Sequence, residues 1–243
     1  MTRKQRVVVG AAGVLCLLLI APCIKRNRVS YGWRESANTT YCVGLAIRLY
    51  YETHGRLPPA VVCDPTGRPL YSWRVLVLPY AEEGSLYRQF RLDEPWDSPH
   101  NLPLAKTTPR CYSPLGGRWI EPGMTRVQVF TGPGTAFERP GLTWEDFPDG
   151  LGNTALVVEA GEPVPWSKPG DVAYDPARPL SNLGSGLEKP AMFWCYEVGR
   201  HPGFSVCLAD GTIRLVRAST EESLLRALFT RNGGEPFAAS QLR

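Results

Sequence analysis

Residues 204–216 read "FSVCLADGTIRLV". Phe204, Val206 and Leu208 alternate with Ser205, Cys207 and Ala209, the two-residue period of a β-strand. Asp210-Gly211 follows, a pair that readily takes the two positive-φ positions of a tight hairpin turn. Ile213 and Leu215 resume the alternation, so this stretch predicts an antiparallel hairpin. Beyond it, Ser219 and Glu222 stand at capping-box spacing, and "ESLLRALFTRNGG" predicts a short helix closed at Gly233.

Working outward toward the N terminus, Thr154–Glu159, "TALVVE", is a short apolar run of the buried-strand type. Thr125–Phe130, "TRVQVF", alternates and predicts another strand. "LYSWRVLVLPY", residues 70–80, has the aromatic and branched content of a strand, with Leu76–Tyr80 turning helical. "EEGSLYRQF" predicts a short helix with Leu86, Tyr87 and Phe90 inward. The clearest helix is Ser36–His54, where Cys42, Leu45, Ala46, Leu49 and Tyr50 make one apolar stripe, Gly55 ends it and Pro58-Pro59 forbid continuation. Residues 163–189 are rich in Pro, Gly, Ser and Asp and read as long loop. The 24 glycines and 23 prolines fit many turns between short strands. Strands and flanking helices without a βαβ rhythm predict an α+β fold with a small antiparallel sheet.

The first 30 residues stand apart. Val7–Ile24 runs 18 residues without a charge, near the minimum that spans a bilayer core. Arg3, Lys4 and Arg6 precede it and Lys25, Arg26 and Arg28 follow it. No small-residue cleavage site follows the run, so it reads as an uncleaved anchor rather than a signal peptide. The expected organisation is therefore a membrane anchor over residues 1–30 and an exported domain over residues 31–243. The protein would be single-pass in the inner (cytoplasmic) membrane, body outside. The net charge of +4 comes from the anchor flanks: beyond residue 30 there are 21 basic and 23 acidic residues. A body this close to neutral lacks the basic face of a nucleic-acid binder. Of seven cysteines, Cys16 and Cys23 lie in the apolar run, and no CxxC occurs.

Four segments carry a family resemblance: "GLAIRLYYETHGRLPPA", "YSWRVLVLPYAEEGSLYRQFRLDEPWDSPHN", "DGLGNTALVVEAGEPVPWSKPGDVAYDP" and "HPGFSVCLADGTIRLV". Together, from about Glu35 to Glu235, the chain resembles the prepilin-like family of unknown function that is expanded in planctomycete-type bacteria. That family ends in a His-x9-Asp-Gly motif. The resemblance implies a pilin-like plan, with an N-terminal hydrophobic helix and an amphipathic helix packed on a small antiparallel sheet with long loops. It also implies an exported protein whose partners are envelope or secretion-system proteins. Two positions depart from the pattern. The processing signature Gly-Phe-Thr-Leu-x-Glu is replaced by "GAAGVLCLLL", and His201 is followed by eight residues, not nine, before Asp210-Gly211.

The candidate sites are few. "LDEPWDSPHN", residues 92–101, offers Asp93, Glu94 and Asp97 as hard oxygen donors of the kind calcium takes. Related secretion pseudopilins carry an Asp-Pro-Trp loop near a calcium site, which adds to that candidacy. The structural alternative is a stiff loop anchored by Trp96, with its prolines fixing φ. Glu145, Asp146 and Asp149 in "WEDFPDGLGN" form a second acidic loop, and Cys195, His201 and Cys207 a candidate zinc set that lacks a fourth ligand. No nucleophile elbow or phosphate-binding glycine loop is present. The sequence thus points to a non-enzymatic envelope protein with no required cofactor. A calcium-dependent binding module and an exported hydrolase are the alternatives.

Overall fold

The computed structural model describes residues 37–113, 120–180, 183, 203–217, 219–235 and 242. The apolar run 7–24, Cys195 and His201 lie outside them. Among the described residues no helix is long and apolar enough to cross a membrane.

In chain order come helix α1 (residues 37–54), strands β1 (Val61–Cys63) and β2 (Pro69–Ser72), and helices α2 (Trp73–Leu76), α3 (Gly84–Gln89) and α4 (Asn101–Ala105). Then follow β3 (Met124–Gln128), β4 (Phe130–Thr131), β5 (Ala155–Pro165), β6 (Val172–Ala173), β7 (Gly203–Leu208), β8 (Ile213–Arg217) and helix α5 (Glu222–Phe229). The class is α+β. The main sheet is antiparallel, in the order β3-β5-β7-β8, and the β1–β2 pair is antiparallel too. The short pair β4–β6 is parallel.

β7 explains the layering. It is buried along its whole length because both faces are covered. Phe204, Val206 and Leu208 pack with Leu225, Leu228 and Phe229 of α5. Cys207 and Ala209 belong to the opposite core, which holds Val43, Ala46, Ile47 and Tyr50 of α1. β5 serves both cores through an irregularity in its pairing between Ala155 and Val157. A bulge of this kind lets neighbouring residues share a face, and Leu156 and Val157 both join the α1 core.

The predicted α1 forms, but its inward stripe is rotated from the expected one. Val43, Ala46, Ile47 and Tyr50 are buried, while Leu45 and Leu49 are exposed. The cause is Gly44, which brings this face so close to β7 that an added Cβ would collide with the Cys207 thiol. Gly55 takes φ 68° and its N–H bonds the Tyr51 carbonyl at 2.7 Å, ending the helix as expected.

Other elements shift. Residues 70–80 leave the strand earlier than expected, because the Ser72 side chain accepts the Arg74 N–H and caps α2. β5 runs eleven residues, into the stretch read as loop. The capping box predicted before α5 is not formed, since its N-cap residue is Glu221 and makes no side-chain cap bond. The Glu222 carboxylate instead binds Arg226 at 2.5 Å. The helix stops at Phe229, where Thr230 bridges to Thr135, rather than at Gly233.

The 204–216 hairpin forms, with a different turn. Gly211 has φ 91°, and Glu82 is the one described non-glycine residue with positive φ, so Asp210 does not share the role. Gly211 N–H bonds the Leu208 carbonyl at 2.9 Å and Leu208 N–H bonds the Thr212 carbonyl at 2.8 Å. That is a three-residue loop with its glycine in the left-handed position. The Asp210 carboxylate closes the loop by accepting the Thr212 N–H at 2.7 Å.

Candidate functional site

The loop 92–101 is organised from its last residue. Asn101 is fully buried. Its Nδ2 donates to the carbonyls of Arg91 (2.9 Å), Pro95 (3.1 Å) and Glu94 (3.3 Å), and its Oδ1 accepts the Arg91 N–H at 2.9 Å. The side chain thereby stands in for backbone pairing that a proline-containing loop cannot make. Ser98 Oγ accepts the Asn101 N–H at 3.1 Å. Trp96 is half-buried against the α1 core, its N–H bonds the Leu70 carbonyl at 2.8 Å, and Lys168 Nζ lies 5.8 Å from the ring centroid. The stiff loop is therefore held by Asn101 as well as Trp96. Its sequence signal was one Asn after a Pro-His pair, too common to stand out.

The acids of this loop do not converge. Glu94 pairs with Arg91 at 2.9 Å, and the Ser98 hydroxyl first, then Arg91, holds its carboxyl below the ordinary value. Asp93 and Asp97 are exposed. No three His, Cys, Asp or Glu side chains among the described residues form a group that could hold a metal ion, so Asp93, Glu94 and Asp97 are not assembled as calcium ligands. The surface here is an open groove lined by Arg68, Arg91, Glu94, Asp97 and His100. His100 Nε2 lies 2.9 Å from the Gln89 carbonyl.

The second acidic loop is structural as well. Asp146 caps its own turn, accepting the Thr143 N–H at 2.8 Å, and that bond is the main reason its carboxyl is held low. Asp149 accepts the N–H groups of Gly233 (2.7 Å) and Gly234 (3.1 Å), fastening the C-terminal segment. Arg231, itself buried, donates to the Asp146 carbonyl at 2.7 Å and pairs with Glu138. Of the zinc set, only Cys207 is described. It is fully buried, and burial pushes its thiol up to about 12.

Asp210-Gly211 sits where three segments meet. Asp210 N–H bonds the Leu151 carbonyl at 3.1 Å and Ala209 N–H the Thr154 carbonyl at 2.9 Å. Arg48 of α1 reaches the Ala209 carbonyl at 2.5 Å and lies over Trp144 at 5.9 Å. The turn thus docks α1 and the 144–153 loop to the central strand.

The most heavily bonded polar group was missed in the sequence. Arg74 and Asp171 form an ion pair at 2.5 Å, with side-chain exposures of 0% and 2%. Arg74 also donates to the Val127 carbonyl and to Ser72 Oγ, both at 2.8 Å. Asp171 accepts the Val129 N–H at 3.0 Å and the Trp73 indole N–H at 3.3 Å. Burial raises the Asp171 carboxyl above its ordinary value, against the downward pull of Arg74, Val129 and Trp73. Tyr112 closes the cluster by donating to the Arg74 carbonyl at 2.7 Å. Sealed from water on both sides, the pair acts as a clamp. It fastens the 163–175 region to α2 and to the end of β3.

Comparison with known proteins adds one family. Neither the curated proteins nor the solved structures give a match to this chain. Residues 41–133, from α1 through the Asn101 loop to β4, match the family described as a protein of unknown function (DUF1559).

Proposed function

We propose that this is a membrane-anchored envelope protein of pilin-like plan, whose exported α+β domain has a structural or interaction role and not a catalytic one. The observation that carries the reading is the order of parts. In the sequence a charge-free apolar run with basic flanks, residues 7–24, precedes a helix, residues 37–54, that is laid along a four-stranded antiparallel sheet. The polar groups support it. Asp146, Asp149 and Asp210 are each spent on backbone amides, and Arg74 and Asp171 on each other. The prepilin-like relationship and the role of the His201–Gly211 motif belong to this reading. So does a partner among envelope or secretion-system proteins.

The test is the intact mass of the protein recovered from separated membrane and soluble fractions. The reading expects the full 26.9 kDa chain in the membrane fraction. A chain shortened near residue 10 would mean prepilin-type processing despite the missing signature. A soluble chain beginning after residue 24 would overturn the anchor.

A further inference from the structure

The outer face of α1 carries three apolar side chains in a line. Tyr41, Leu45 and Leu49 are 46%, 42% and 41% exposed, three of the four exposed large hydrophobics among the described residues. Steps of four residues stack them along one strip of the helix. The buried stripe of Val43, Ala46, Ile47 and Tyr50 lies elsewhere on the helix surface, so the core does not require the outer three to be apolar.

We propose that this strip is a lipid contact, lying on the bilayer surface to which the apolar run 7–24 ties the chain. The inference rests on the anchor reading above. Three observations favour lipid over a second copy of the chain. First, only twelve residues, 25–36, separate the apolar run from α1 in the sequence. Twelve residues span at most roughly 40 Å, about 3.5 Å each, so under the anchor reading α1 can lie no farther than that from the bilayer. A second contact from an anchored chain needs little intrinsic affinity, because that binding event is intramolecular. Second, three partly exposed side chains fall far short of the ~800 Å² per partner of a stable protein interface, whereas a fluid lipid surface demands no matching shape. Third, the chemistry suits the interface. Tyr places a ring at headgroup level with its hydroxyl in water, and Leu enters the acyl boundary. Lys25, Arg26, Arg28 and Arg34, between the run and α1 in the sequence, favour anionic headgroups. Exposed Glu52 ends the strip at its far side.

The test uses the full chain in nanodiscs of phosphatidylethanolamine and phosphatidylglycerol, with a benzophenone side chain at one position. Leu45→p-benzoylphenylalanine and Leu49→p-benzoylphenylalanine are compared with Lys106→p-benzoylphenylalanine, another exposed position. After irradiation the intact mass is read. The expected result is a one-phospholipid adduct at 45 and 49 and none at 106. A covalent dimer at 45 would assign the strip to a second copy and overturn the proposal. So would absence of the adduct at 45 and 49, or an equal adduct at 106, in a chain that has loaded into the discs. A chain that does not load overturns the anchor reading itself, and this inference with it.

Discussion

Gly44 lies against Cys207 with no room for a methyl group between them, and both the thiol sulfur and the Cβ of Cys207 stand in the way. This approach sets which face of α1 meets β7. Gly44→Ala should therefore destabilise the domain by about 1–2 kcal/mol, the overpacking cost exceeding the roughly 1 kcal/mol that Ala gains in a helix. Leu45→Ala and Leu49→Ala, on the exposed face, should stay within about 0.5 kcal/mol. Urea unfolding of the three variants gives the comparison, and equal losses at 44, 45 and 49 would contradict the assigned face.

Legibility in the sequence follows from the range of the interaction. The 204–216 hairpin was readable because its strands and turn are neighbours in the chain, and Gly55 because a helix end is local. The rotation of α1 was not, because Leu45 and Leu49 look as apolar as Val43 and Ile47, and only the approach of Cys207 to Gly44 chooses between them. The Arg74–Asp171 clamp was hidden for the same reason: the partners are 97 residues apart in sequence, and Asp171 lies in a stretch whose composition reads as loop. At the candidate sites the sequence singled out two acidic loops by composition. It could not show that in the second of them Asp149 is taken up by the amides of Gly233 and Gly234 and Asp146 by that of Thr143.

Breaking the clamp from one side should cost far more than replacing it. Asp171→Asn leaves Arg74 buried without a counter-charge, and about 3–5 kcal/mol of stability should be lost. Arg74→Met combined with Asp171→Leu should lose clearly less than the single change. Chemical denaturation of the single and double variants checks this, and additive losses would show that the two side chains do not act as a pair.

Acid sensitivity should trace in part to Asp146. Its carboxyl is held below 3.8, chiefly by the Thr143 N–H, so the folded state binds its proton more weakly than the unfolded chain does. Its contribution is therefore complete at pH well above 3.8 and is lost as the pH falls through the folded value. Asp146→Asn should lower the melting temperature at pH 7, and the gap from the parent protein should narrow toward pH 3. A gap that stays constant across that range would mean that the carboxylate charge plays no part.

The four described thiols should separate by burial. Cys63 is exposed, Cys42 and Cys111 are half-buried and Cys207 is buried. Burial raises the thiols of Cys42, Cys111 and Cys207. At pH 8 the native protein should alkylate first at Cys63, with Cys207 protected until unfolding. Peptide mass mapping after brief iodoacetamide treatment reads the order. Early labelling of Cys207 would mean that α1 lifts from β7.

The Asn101 side chain makes four hydrogen bonds to backbone between Arg91 and Pro95. Each such bond contributes about 1 kcal/mol net, and leaving buried partners unpaired adds to the loss. Asn101→Ala should therefore cost roughly 2–4 kcal/mol, more than removing any single acid of the same loop. Asn101→Asp would keep the acceptor for the Arg91 N–H but lose the three donated bonds, so it should rescue little. Thermal melts of the two variants beside Asp93→Asn and Asp97→Asn make the comparison, with limited proteolysis reporting whether the 91–101 chain opens. If Asn101→Ala melts like the acid variants and the loop stays protected, then Trp96 and the prolines suffice to hold it, and Asn101 is not its organiser.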